Sequence, residues 1–304
     1  MAYTTSPVHN LETWLNYAKK VEDSGADSFA IKDMAGILKP YDAFELVTAL
    51  KDKLSIPIHM QCHATTGMST ASNLKAIEAG IDNIDTSISS MSMTYGHSAT
   101  ETLVSMFSDR EADLGLDINL LGDISDYFRV IREKYSEFEG SLKGVDSTML
   151  IKQVPGGMLS NLESQLKTIN QQDKLEKVKD EIAKVREDFG YPPLVTPVSQ
   201  IIGAQSLLNV TENSKYGSLT SETKKLVLGA YGKLPGKVKE EIVKKASEDP
   251  PEQEDERKLE EIAEELKTIC SKNNLPDLSD NTESLLTYTL FSNTAVNFFK
   301  ERNF

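Results

Sequence analysis

PIHMQCHATTG, residues 57–67, sets His59, Gln61 and His63 on alternate positions of a short apolar run. Residues two apart on a β-strand share a face. Two imidazoles and an amide therefore project together, while Ile58, Met60 and Cys62 point the other way. Upstream, DSFAIKD (27–33) divides in the same manner, with Ser28, Ala30 and Lys32 on one face and Phe29 and Ile31 on the other. Downstream, IDNIDTS (81–87) reads as a third strand, and MAYTT (1–5) as a strand-like start. Between these runs lie segments at helical spacing. They are 10–24 (Leu11, Trp14, Leu15, Ala18, Val21), 41–54 opened by Pro40, 69–80 closed by Gly80, and 98–107.

Strand–helix alternation in units of about thirty residues implies a parallel sheet. The spacing suits either a doubly wound sheet or part of a (β/α)8 barrel. No GxGxxG or GxxxxGK[ST] loop occurs in the chain. Large residues directed at helices, with small or polar ones directed at an axis, favour the barrel. The expected fold class is α/β plus α: a partial (β/α)8 TIM-type barrel of about four βα units, then a mainly helical domain. Helices are expected at 123–138, 161–170, 174–188, 200–211, 221–229 and 237–247, punctuated by VPGG, GYPP and YGKLPG. The stretch SEDPPEQEDERK (247–258) reads as an acidic hinge before helices at 255–271 and 281–301. The implied divisions are 1–115, 116–246 and 247–304.

Hydrophobic residues make up 39% and charged residues 26% of the 304, a composition that suits a globular protein over a disordered one. A net charge of −14 argues against partners with a phosphate backbone or an anionic lipid surface. Cys62 and Cys270 lie far apart and make no disulfide framework. The start lacks the basic and apolar regions of a signal peptide, and no run is long enough to span a membrane. Cytoplasmic residence is the expectation.

In a parallel barrel the functional groups stand at the C-terminal ends of strands. Lys32–Asp33, Gln61 with His63, and Asp85 with Ser87 end three successive runs at corresponding heights. Taken singly, such a lysine is ordinarily solvated, and such a histidine ordinarily donates to a backbone carbonyl. Together on neighbouring strands they make a candidate site.

The stretches ADSFAIKDMAGILKPYDAFELVTALK, IPIHMQCHATTGMS and NIDTSISSMS resemble the carboxyltransferase domain of biotin-dependent enzymes. VPGGMLSNLESQL, VREDFGYPPLVTPVSQIIGAQSLLNV and LLTYTLFSNTAVNFF resemble that family's conserved helical domain. The family includes the oxaloacetate decarboxylase α subunit, the transcarboxylase subunit and pyruvate carboxylase with its B-type subunits. The resemblance implies an enzyme that moves CO2 between a 2-keto acid, such as oxaloacetate or pyruvate, and biotin on a carrier domain or chain. It implies a divalent metal (Zn, Mn or Co) held by Lys32 as its carbamate and by His63, with Gln61 a weak third donor. Carbamylation turns a cation into the oxygen ligand that such a metal needs. It also implies that Thr196 shuttles a proton, that Ser199 and Gln200 line the biotin side, and that the assembled enzyme is a homo-oligomer.

The chain departs from the family's pattern in three places. Gln61 stands where the family carries the first histidine of a His-x-His pair, and Gln200 stands where some members carry lysine. The first residues align with the middle of the family's barrel. The other barrel half, with an Asp ligand, is therefore expected from a longer polypeptide or another chain, and this chain alone is expected to be inactive. Any membrane association would come through partner subunits. The rival reading is a non-catalytic assembly module or a degenerate remnant. Thr196 has an alternative of its own, because it precedes an expected helix and could serve as its N-cap, with Ile201, Ala204 and Leu208 as the buried stripe.

Overall fold

The computed structural model describes residues 1–108, 114–139, 142–146, 148–152, 154, 156–251 and 258–302. The chain divides into two compact units, Met1–Pro251 and Glu252–Phe304. It is a mixed α/β protein with a helical majority and a small parallel sheet.

The sheet consists of β1 (Phe29–Asp33), β2 (Ile58–Cys62) and β3 (Asn83–Ile84) in that order. Lys32 pairs with Gln61 and Asp33 with Cys62 across β1 and β2. Burial alternates along β1: Phe29, Ile31 and Asp33 are buried, Ala30 and Lys32 exposed. The chain start runs alongside β1, where Lys32 N donates to Met1 O and Tyr3 N to Lys32 O, both at 2.8 Å. This is a bridge at Ala2 rather than the expected full strand. The third strand is also shorter than the expected 81–87. After Asp85 N donates to Met60 O (2.9 Å), the backbone leaves β2, and Ser87 pairs with Ser98 and Thr100 instead.

Helices α1 (Leu11–Asp23), α2 (Pro40–Lys53), α3 (Ser69–Glu78) and α4 (Thr100–Phe107) connect and flank the strands. The Asn10 side chain caps α1 by accepting from Thr13 N. Gly80, at φ +84°, turns the chain after α3, with Gly80 N and Ile81 N bonding back to Ile77 O and Ala76 O. Phe29, Ile31, Ile58 and Met60 pack with Trp14, Leu46, Val47 and Leu50 in one core. Each such burial contributes about 1.5–3 kcal/mol.

The remainder of the first unit contains α5 (Ile118–Lys134), α6 (Thr148–Lys152), α7 (Gly156–Thr168), α8 (Leu175–Asp188), α9 (Val198–Thr211), α10 (Ser221–Val227) and α11 (Glu240–Glu248). Helix α5 begins earlier than its apolar pattern suggests because Asp117 caps it, accepting from Asn119 N at 2.8 Å. Val178, Ile182, Val185 and Phe189 on the α8 side meet Leu166, Ile201 and Ile202 in a second core. The expected stripe on α9 holds at Ile201, which is buried, and half at Leu208, but not at Ala204, which is exposed, whereas Gln205, Ser206 and Asn209 are buried. They tolerate burial because they are paired. Gln205 Nε2 donates to Asn209 Oδ1 (3.0 Å) and Ser218 O (2.9 Å), and Tyr216 N donates to Asn209 Oδ1.

Arg186 on α8 is buried, and its guanidinium donates to Thr4 Oγ1 (2.6 Å), Thr5 O (3.1 Å) and Pro192 O (3.1 Å). It ties the helical layer to the start of the sheet layer. In the second unit, α12 (Leu259–Lys272) and α13 (Thr282–Glu301) share a core. Ile262, Leu266 and Cys270 at four-residue spacing meet Tyr288, Ala295 and Phe299 there. Helix α13 is broken by non-helical backbone at Phe291. The centre of the expected hinge, residues 252–257, lies outside the described residues. Among the described residues no helix is long and apolar enough to cross a membrane.

Candidate active site

Asp33 organises the end of β1. Its carboxylate is fully buried and accepts from Ile37 N (3.1 Å) and Leu38 N (2.7 Å), winding residues 34–38 around it. Burial pushes this carboxyl up, and the two amides and the Cys62 thiol (3.4 Å) pull it back. Its main-chain oxygen accepts from His63 N at 3.0 Å. Gly36, at φ +66°, presses against the same residue. A Cβ there would lie 2.5 Å from His63 O, so only glycine fits. The Thr66 hydroxyl donates to Gly36 O. The backbone of His63 is thus fixed from the β1 side.

Lys32, Gln61 and His63 project from the polar side of β1 and β2, as the alternation implies. Lys32 is exposed, and Gln61 and His63 are half-buried. Gln61 Nε2 donates to Asp85 Oδ2 at 3.2 Å, so its amide turns toward β3. His63 Nδ1 lies 2.6 Å from Tyr95 O. Burial pushes the His63 imidazole down, the Tyr95 carbonyl opposes this, and His97 and Lys32 lower it further. His59 sits one strand repeat deeper and faces Asn83 at 3.4 Å.

The alternation reading did not single out His97. Its ring lies 4.5 Å from that of His63, and the two residues form an antiparallel bridge. It stands in a turn well downstream of β2, where no strand or helix periodicity marks it. Its only signal in the sequence was the imidazole itself in YGHS.

Thr196, Ser199 and Gln200 come together on one cavity of about 200 Å³ between α7 and the start of α9, lined from α7 by Asn161 and Gln165 and reached from the sheet by Met34, two residues beyond Lys32. Thr196 and Gln200 are exposed and Ser199 is buried. Thr196 is not the helix cap. Pro197 occupies that position and makes no side-chain cap bond. The proline supplies a fixed φ and leaves the preceding hydroxyl outside the helix. Lys32 and His63 do not themselves line the cavity, whose contact with the sheet end runs through Met34.

A divalent metal is compatible with these groups. Among the described residues no three His, Cys, Asp or Glu side chains are placed to hold one. The bond from His63 Nδ1 to Tyr95 O, however, gives a neutral ring the tautomer that leaves Nε2 as a ligand. A carbamate on Lys32, whose charge acts on His63, would add an oxygen donor.

Residues 149–304 match the model of the conserved carboxylase domain, and residues 4–128 match the HMGL-like model. The chain is 42% identical over 301 residues to the B-type pyruvate carboxylase subunit of Methanocaldococcus jannaschii, covering 99% of this chain and 53% of that protein. It is 40% identical over 318 residues to the methylmalonyl-CoA carboxyltransferase 5S subunit of Propionibacterium freudenreichii, covering 99% of this chain and 60% of that one. Among solved structures, the carboxyl transferase domain of Rhizobium etli pyruvate carboxylase with 3-hydroxypyruvate superposes with a TM-score of 0.87 at 28% identity. That match covers 98% of this chain and 53% of the other. The chain spans 53% and 60% of the length of these two curated relatives.

Proposed function

Because the chain belongs to the conserved carboxylase domain family, the biotin-dependent carboxyltransferases, we propose that it forms part of a subunit that moves CO2 between a small 2-keto acid and biotin. Oxaloacetate and pyruvate are the substrates of this reading, run either as carboxyl transfer or as decarboxylation. Residues 1–115 are read as about four βα units of a (β/α)8 barrel, 116–246 as the helical carboxylase domain, and 247–304 as hinge and C-terminal helices. The rest of the barrel comes from the same longer polypeptide or from another chain, and residues 1–304 alone are inactive without it. A biotin carrier domain or chain delivers the carboxyl group, in a cytoplasmic homo-oligomer.

The observation that carries the reading is the cavity that gathers Thr196, Ser199 and Gln200 against Met34 at the end of β1. Metal and biotin, when bound, would supply electrophilic polarisation of the keto acid and a carrier for CO2. Lys32 as its carbamate, His63 and, weakly, Gln61 would hold the metal. Thr196, freed of any capping duty, holds a hydroxyl proton on the cavity wall. In this reading the Thr196 hydroxyl would take up at Oγ1 the proton that the keto acid's methyl carbon loses on carboxylation, and would pass its own on toward the carrier side of the cavity. The reverse relay serves decarboxylation. Buried Ser199 and exposed Gln200 shape the biotin side of the cavity. The non-catalytic reading draws on Gln61, whose amide faces Asp85 in place of a ligand imidazole.

Thr196→Ala in the enzyme assembled with the missing barrel half separates the two readings. Carboxyl transfer is expected to fall about 10²–10⁴-fold with little change in melting temperature. Unchanged activity per folded molecule removes Thr196 from the chemistry and favours the assembly module.

A further inference from the structure

We infer that His97 supplies the second imidazole of the metal site, in place of the one the chain lacks at position 61. The inference rests on the metal-dependent reading above and changes its ligand set to the Lys32 carbamate, His63 and His97.

The first support is orientation. His63 Nδ1 lies 2.6 Å from Tyr95 O, and His97 Nδ1 lies 3.4 Å from Cys62 O. A carbonyl can only accept, so both neutral rings carry the proton on Nδ1 and present a lone pair at Nε2. Metal-bound histidines characteristically tie off their other nitrogen in this way. The second support is spacing. His63 and His97 bridge in antiparallel fashion, which places their side chains on one face, and their ring centroids are 4.5 Å apart. Two imidazoles that bind one ion through Nε2 at ~2 Å have centroids ~5 Å apart.

The third support is the turn that delivers His97. Met93 and Thr94 both have positive φ, 65° and 49°, a conformation that non-glycine residues rarely adopt. Met93 N donates to His97 O (2.7 Å) and Gly96 N to Met93 O (2.8 Å), closing the loop. Ala64 N donates to Gly96 O (2.8 Å) and holds the loop against the end of β2. Backbone strain is spent here on bringing one histidine beside another. Gln61, by contrast, could offer only its amide oxygen, a weaker donor to such metals than imidazole, and His59 lies deeper against Asn83.

The test uses the whole chain, titrated with Co2+ in bicarbonate buffer and followed by its visible absorption. Wild type is expected to bind. His97→Ala and His63→Ala are each expected to weaken binding about tenfold or more, and Gln61→Ala by less than threefold. His97→Cys is expected to add a thiolate-to-Co2+ band in the near ultraviolet, a signal that a merely structural role for His97 does not produce. Loss of binding in His63→Ala with none in His97→Ala, or no thiolate band in a folded His97→Cys chain that binds Co2+, overturns the assignment and leaves a metal at His63. A wild-type chain that binds no Co2+ also overturns it. Carboxyl transfer is then judged separately by the Thr196→Ala enzyme.

Discussion

Gly36→Ala should damage the sheet layer far more than one added methyl group suggests. Gly36 has φ +66°, where an L side chain costs about 1–2 kcal/mol. Its Cβ would lie 2.5 Å from His63 O, at least 0.5 Å inside the 3.0 Å below which such contacts essentially never occur. The obstacle is backbone, so no rotamer relieves it. His63 must move, although its N is bonded to Asp33 O and the next amide to Gly96 O. Overpacking of this kind adds about 1–3 kcal/mol, for a total of about 2–5 kcal/mol. Gly80→Ala is the matched control. Gly80 also has positive φ, but nothing lies within 4 Å of its Cβ position, so only the backbone cost of about 1–2 kcal/mol applies. Urea unfolding followed through Trp14, the single tryptophan and a member of the β1–β2 core, reads both variants. Equal shifts in the two midpoints would refute the steric argument and leave only φ.

Two further perturbations test the structure. Burial, reinforced by Arg186, pushes the His9 imidazole from 6.5 down to about 4. Between those values the unfolded chain binds a proton that the folded one refuses. Melting temperature should therefore be full above pH 6.5 and fall toward pH 4, and His9→Gln should flatten part of that slope; an unchanged slope in the variant refutes it. Arg186→Lys keeps the charge but loses the fork that reaches Thr4, Thr5 and Pro192 together. It should cost about 1–3 kcal/mol by urea titration, and an unchanged midpoint would show those bonds to be idle.

Much of the sheet layer was legible because its signals are local. Phe29 and Ile31 alternate with Ala30 and Lys32, and Trp14 and Ala18 recur at helical spacing, so backbone period alone predicts their burial. Gln205 and Asn209 were not legible. Whether a polar side chain can be buried depends on partners such as Ser218 O and Tyr216 N, which no periodicity announces. Thr196 was placed before a helix, yet whether it capped that helix turned on Pro197, which takes the cap position without a side-chain bond. At the strand ends, Lys32, Gln61 and His63 followed from alternation. His97 did not, because it joins them through a left-handed turn and a single bridge. The role of Asp33 was hidden for a similar reason. Its position gives a carboxylate at a strand end, but only the fold shows it wound inside its own loop.

The bond from Arg186 to Thr4 has a consequence in time. The two residues are 182 positions apart. At a synthesis rate of ~5–20 residues per second, roughly 9–36 s pass between their appearances on the ribosome. Met1 and Tyr3 can pair with Lys32 soon after β1 emerges, since that contact spans about thirty residues. Thr4 and Thr5 must wait for α8. A nascent chain halted before residue 186 would hold residues 1–3 against the sheet while Thr4 and Thr5 still wait for their guanidinium partner.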